Sequence, residues 1–214
     1  MPAPATVIRP QPGPQEAFLA SPADIVIYGG AAFGGKTFAL LLEAVRHSDN
    51  PQFGAVIFRR TTKQVKAEGG LWDTSEELFP LLDAQPNLSS LSWAFPSGAK
   101  VTFAHLEHEK NKLDWQGAQV AMIGFDELTH FTAGQFWYLL SRNRSASGVA
   151  PYIRATTNPD PDSFVAELIA FLVSDRAAAD AWLAAEPPAG SDADLSQLRY
   201  GKVIIMSDAD VDGS

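Results

Sequence analysis

The stretch "GGAAFGGKT", Gly29 to Thr37, is where the chain turns from one kind of element into another. From Gly30 to Thr37 every fixed position of the spacing G-x-x-x-x-G-K-[ST] is filled. An apolar, β-rich run, "DIVIYGG", leads into it, and "KTFALLLEAVRH" (Lys36 to His47) leaves it with helical periodicity. Glycines between a strand and a helix let backbone N–H groups turn inward, and the helix N-terminus adds a partial positive charge. Together they suit phosphate oxygens. On this reading Gly30, Gly34 and Gly35 shape the cradle and Lys36 reaches the β- and γ-phosphates of ATP, while Thr37 places its hydroxyl on Mg2+. The competing reading is a glycine turn that merely packs a helix against a strand. The presence of strand, motif and helix in the right order counts against it.

Outward from the cradle the chain alternates strands and helices. "FGAVIFRR" from Phe53, "VAMIGFDE" from Val120 and "YIRATTNP" from Tyr152 read as buried strands. "LSWAFPSGAKVTFAHL" reads as a hairpin around Pro-Ser-Gly. "EGGLWDTSEELFPLL" reads as a loop and short helix, and "TAGQFWYLLSRNR" as a helix with Thr132 as N-cap. This order predicts an α/β fold with a mainly parallel sheet between helices, the P-loop NTPase class. The expected division is an irregular arm over 1–14, an ATPase domain over 15–186, a linker over 187–197 and a truncated strand segment over 198–214.

The second half of a nucleotide site is expected at "VAMIGFDE". Asp126 ends an apolar strand and so lies at the sheet edge beside the cradle, where it would hold Mg2+ with Thr37. Glu127 would polarise the attacking water. Asn158, ending the next strand, would sense the γ-phosphate; a turn or cap asparagine is the equal alternative. Arg142 and Arg144 in "SRNRS" offer an arginine finger in cis or in trans, with a surface ion pair as the equal alternative. Gln15 in "PQEAFLAS" carries an amide that can read the adenine edge.

Composition narrows the classes. At 214 residues there is room for one sizeable domain with an appendage. There is no cysteine, which excludes disulfides and thiolate metal sites. No apolar run approaches the roughly 20 residues of a membrane span, and the start does not read as a signal peptide. A cytoplasmic protein without a membrane partner is expected. The net charge of -9 argues against a broad nucleic-acid face, though a motor subunit can grip DNA with a few loops or a partner's basic surface.

Taken in order, "PQEAFLAS", "YGGAAFGGKT", "VIFRRT", "WQGAQVAMIGFDELTHF", "YLLSRNRS" and "ATTNPDPDSFVAELI" resemble the ATPase domain of tailed-phage terminase large subunits, over about residues 11–170. The resemblance implies a RecA-like, additional-strand core with a catalytic glutamate. It implies Gln15 as adenine contact, Lys36 and Thr37 as phosphate and Mg2+ ligands, Asp126 and Glu127 as magnesium and water residues, and Thr157 with Asn158 as the motif coupling hydrolysis to movement. It further implies double-stranded DNA as track, portal protein and terminase small subunit as partners, a ring of like subunits on the procapsid, and a phage-infected or prophage-carrying bacterial host. Phe33 stands where many relatives carry glycine. Relatives continue into a nuclease domain, for which little room remains here, so endonuclease activity is not expected.

The tail "LRYGKVIIMSDADVDGS" resembles the metal segment of the TOPRIM domain in the B-type subunit of DNA gyrase and its topoisomerase IV counterpart. Asp208, Asp210 and Asp212 alternate after a β-rich run and would cluster around Mg2+. The rest of that domain is missing, so a fusion remnant is the main reading, ahead of an EF-hand start. Three rival functions stay open at this point: a helicase-like motor, an inactive nucleotide-binding module, and a topoisomerase fragment. His105 and His108 lack an evident third ligand, and Trp72, Trp93, Trp115 and Trp137 read as core or lid residues.

Overall fold

The computed structural model describes residues 8–30, 35–158, 160–174 and 203–207. Among the described residues eight strands follow in order: β1 Ile25–Gly29, β2 Gly54–Arg59, β3 Gln85–Asn87, β4 Ser92–Ala94, β5 Lys100–His105, β6 Met122–Phe125, β7 Tyr152–Thr157 and β8 Val203–Ser207. The helices are α1 Pro14–Ala20, α2 Lys36–Ala44, α3 Thr62–Val65, α4 Leu71–Leu78, α5 Ala133–Leu140 and α6 Phe164–Ser174.

One sheet holds all the strands, in the order β3-β4-β5-β2-β6-β7-β1-β8. From β5 to β8 every pairing is parallel. The β4–β5 hairpin and β3 extend it with antiparallel pairs. The expected α/β architecture, a mainly parallel sheet between helices, is therefore present. Between β1, which runs to Gly29, and β6, which Asp126 follows, lies the strand β7.

Alternation along the strands sends side chains to two faces. Val26, Tyr28, Ile57, Val101 and Phe103 face a core with Phe18 of α1, Leu40 and Leu41 of α2, and Leu71 and Trp72 of α4. Ile25, Ile27, Val56, Phe58, Ile123, Phe125 and Ile153 face the other core, with Phe136, Leu139 and Leu140 of α5 and Val165 of α6. Trp72 stacks on Trp93 with ring centroids 5.4 Å apart, and Trp115 meets Phe58 edge-on at 4.9 Å. These tryptophans serve packing, as expected.

Several boundaries differ from the sequence reading. α2 stops at Ala44, with turns up to the expected Ser-Asp-Asn-Pro stop. α5 is capped as expected, Thr132 accepting from the Gln135 N–H, but it ends at Leu140, short of Arg144. There Asn143 donates its side-chain amide to the carbonyls of Val120 and Ala121 at 2.8 and 3.0 Å, drawing the chain away from the helix. α1 and β3 carry no strong periodicity and were not anticipated. The "QPN" of β3 is exposed, and its proline suits an edge strand. β8, within the segment expected over 198–214, adds to the sheet edge beside β1 in the register Ile25↔Val203 to Gly29↔Ser207. The linker expected over 187–197 lies outside the described residues.

Candidate active site

Parallel strands place their C-terminal ends on one sheet edge, and β1, β7, β6 and β2 all end there. At the end of β1, Gly35 caps α2 with φ 63°, ψ 24°, a left-handed conformation that glycine adopts without penalty. A Cβ on Gly35 would overlap the Gln15 side-chain amide. Gln15 is 2% exposed, donates to the Gly35 carbonyl at 3.1 Å and accepts from the Gln11 N–H at 2.9 Å. Lys36 is buried, and its ammonium donates to the Gly30 carbonyl at 2.9 Å. Gly34, with the rest of the loop tip including Phe33, lies outside the described residues.

At the end of β6, Asp126 is 1% exposed. Its Oδ1 accepts from Thr37 Oγ1 at 3.3 Å and from Thr156 Oγ1 at 2.7 Å. Thr156 is there because β7 runs beside β6 with Phe125 opposite Ala155. The same Thr156 hydroxyl accepts from the Glu127 N–H at 3.1 Å. Glu127 adopts φ 63°, ψ 66°. Left-handed backbone costs a non-glycine residue on the order of 1–3 kcal/mol, and such strain collects at functional sites. It turns the Glu127 carboxylate toward Asn158, whose amide donates to Oε1 at 2.9 Å and Oε2 at 2.8 Å. Thr157 donates to the Asn158 carbonyl at 3.1 Å.

The fold thus brings Lys36, Thr37, Asp126, Glu127 and Asn158 to one edge. It does not bring Arg142 and Arg144 there. Val120 N–H donates to the Arg142 carbonyl at 3.3 Å, so both arginines lie by the start of β6, at the opposite edge from Asp126. Arg142 covers the Tyr138 ring at 4.9 Å. Asp208, Asp210 and Asp212 lie outside the described residues. His105 contacts Thr62 Oγ1 through Nδ1 at 3.0 Å, and among the described residues no cluster of three or more His, Cys, Asp or Glu side chains is arranged to hold a metal.

One residue of the site had no assigned role in the sequence reading. Arg59, the last residue of β2, sets Nε 3.2 Å from Asp126 Oδ2 and Nη1 3.8 Å from Glu127 Oε1. The available signal was a cation ending an apolar strand in "VIFRR". Only the β2–β6 pairing shows which acids it meets.

A second buried polar group sits at the far end of the sheet. Glu43 of α2 is 0% exposed and accepts from Arg46 Nε and Nη2 at 2.9 and 2.8 Å, with Arg154 Nε at 3.7 Å. Arg154 also donates to the carbonyls of Ser21 and Ala23. Burial, with Glu43 nearby, pushes the Tyr152 phenol far above its usual range; burial lowers the Arg154 guanidinium. This network fastens α2 and the α1–β1 turn to β7.

Similar folds are found among packaging proteins. The large terminase of a thermophilic bacteriophage superposes with a TM-score of 0.62 at 15% identity, over 93% of this chain and 46% of that one. The chain therefore spans under half the length of that protein. The large terminase ATPase domain of Thermus phage P74-26 gives 0.57 at 14% identity, over 93% and 80%. The N-terminal domain of the bacteriophage phi29 DNA packaging ATPase gives 0.53 at 15%, over 89% and 93%. At these identities the likeness is one of fold. No curated protein matches the sequence. A family model does, over residues 26–198, and by that match the chain belongs to the terminase large subunits of the T4-like-virus type, as their N-terminal domain.

Proposed function

We propose that the chain is the ATP-hydrolysing motor domain of a phage terminase large subunit, driving viral DNA into the procapsid. The observation that carries this is the convergence of Thr37, Asp126, Glu127 and Asn158 through direct hydrogen bonds at the end of the cradle strand and its neighbours. A helicase-like motor, an inactive module and a topoisomerase fragment draw no support from the family match.

The donor set suits Mg2+. Asp126 Oδ2 is a buried acceptor with no hydrogen bond, and the Thr37 hydroxyl lies on the neighbouring oxygen. Thr37 and Asp126 would hold the ion, which when bound supplies charge neutralisation at the β- and γ-phosphates. Lys36 exchanges the Gly30 carbonyl for phosphate oxygens, and Gln15 is assigned to the adenine edge. Glu127 orients a water and accepts its proton as the oxygen attacks the γ-phosphorus and the bond to the bridging oxygen breaks. Asn158, bound to Glu127 and directly following β7, passes the change at the carboxylate into the segment before α6.

An arginine finger from this chain acts in trans, because Arg142 and Arg144 lie away from their own carboxylates; this fits a ring of like subunits. Double-stranded DNA, a portal protein and a small subunit are the expected partners, in the bacterial cytoplasm. ATP turnover by wild type and by Lys36→Ala tests the reading. The variant should fold, bind nucleotide weakly and lose turnover. A folded Lys36→Ala protein with the wild-type rate overturns it.

A further inference from the structure

Arg59 approaches the carboxylate pair from β2, on the flank of β6 away from β7. Its side chain is 20% exposed. Nε and Nη1 are buried without a hydrogen bond, and so is Asp126 Oδ2, the atom Nε faces at 3.2 Å. The pair is therefore held by charge without a directional bond. A guanidinium fork that is fixed for structural reasons usually docks on a carboxylate through two aligned N–H groups. Here the fork is spread across two different acids, at 3.2 and 3.8 Å.

The contested oxygen is the one Asp126 has left. Oδ1 is committed to the Thr37 and Thr156 hydroxyls. A divalent cation that takes Asp126 through Oδ2 meets the guanidinium in the same place, and two cations repel strongly where water is scarce. Glu127 has other support, because the Asn158 amide holds both of its oxygens. Losing Arg59 from Asp126 therefore leaves the Glu127 carboxylate in position.

We infer that Arg59 is the resident counter-cation of Asp126, that it and the divalent cation occupy Oδ2 by turns, and that cation entry shifts Arg59 wholly onto Glu127. Arg59 is a positioning residue: it keeps two adjacent acids, one of them on strained backbone, from repelling each other before the cation arrives. The inference rests on the ATPase reading given above.

The test is Mn2+ affinity, read by electron paramagnetic resonance on the full chain with a non-hydrolysable ATP analogue. Removing a competing cation should tighten the site. Arg59→Gln is expected to bind Mn2+ about fivefold more tightly or better, the low end of coupling between linked sites. Arg59→Lys, which keeps the charge, should stay near wild type. An Arg59→Gln protein with unchanged or weaker Mn2+ affinity overturns the inference. Should that variant fail to fold, the Arg59 Nε–H resonance of wild-type protein, assigned against Arg59→Lys, decides the matter. It should shift when Mg2+ is added to the analogue complex, and a fixed resonance overturns the inference. Wild-type protein that binds no Mn2+ with the analogue overturns both this inference and the ATPase reading. Binding that ignores the substitution overturns only the role of Arg59.

Discussion

The side-chain amide of Asn158 grips both carboxylate oxygens of Glu127, at 2.9 and 2.8 Å. The end of β7 therefore holds the acid proposed to act on water. Asn158→Ala removes this grip without touching the cradle. Turnover should fall about tenfold or more, because misplacing a catalytic group by about 1 Å is costly, while nucleotide affinity is kept. Steady-state ATPase rates and a fluorescent-nucleotide titration check this; full turnover in the variant would separate Asn158 from the chemistry.

Glu127→Gln preserves size and hydrogen bonding but cannot take a proton. Affinity for ATP with Mg2+ should persist while turnover drops on the order of 10²-fold or more. If binding collapses while residual turnover stays high, the roles given to Asp126 and Glu127 are reversed.

Gly35→Ala meets two obstacles at once, a left-handed backbone and the Gln15 amide. A loss of about 1–3 kcal/mol is expected in urea unfolding. Adding Gln15→Ala should return part of that loss, since the residues are in contact and their effects are coupled. Strict additivity in the double mutant would show that the overlap is relieved some other way.

Glu43 and its two arginines allow a contrast. Glu43→Ala leaves Arg154, which is 5% exposed, without its counter-charge, and should cost about 3–5 kcal/mol. Arg46 donates to both oxygens of the buried Glu43 carboxylate, so Arg46→Ala leaves that acceptor with Arg154 alone and should cost about 1–3 kcal/mol, less than Glu43→Ala. Equal losses from the two variants, measured by urea denaturation, would contradict this account of the network.

Removal of residues 203–214 takes β8 from the edge of β1. An uncovered parallel edge invites pairing with other chains. A lower Tm and self-association on size exclusion are expected, with ATP turnover of the folded fraction nearly unchanged. Abolished turnover in a monomeric, folded truncation would tie the strand to the chemistry.

Much of the site was readable because it is written in short spacings. Gly30 to Thr37 needs only a strand before it and a helix after it, and both were visible as periodicity. The place of Asp126 and Glu127 was legible because an apolar strand must end somewhere, and parallel strands end at the same sheet edge. Thr132 was legible as a cap because capping is settled within four residues. The sequence by itself thus determined the class of fold and the strand ends at which Lys36, Thr37, Asp126 and Glu127 stand.

What spacing does not encode is which strand lies beside which. The sheet order depends on how α1, α2 and α4 cover one face while α5 and α6 cover the other, and those contacts span the chain. Only that order puts β7 between β1 and β6, and so puts Thr156 on Asp126 and Asn158 on Glu127. Only that order sets β2 on the other flank of β6, where Arg59 reaches both acids. The departure of Arg142 and Arg144 to the opposite edge has the same origin, since Asn143 finds its partners in Val120 and Ala121, more than 20 residues away. Tertiary structure decided these meetings because the free energy that orders a sheet comes from burying both of its faces at once, a sum over distant residues that no local pattern contains.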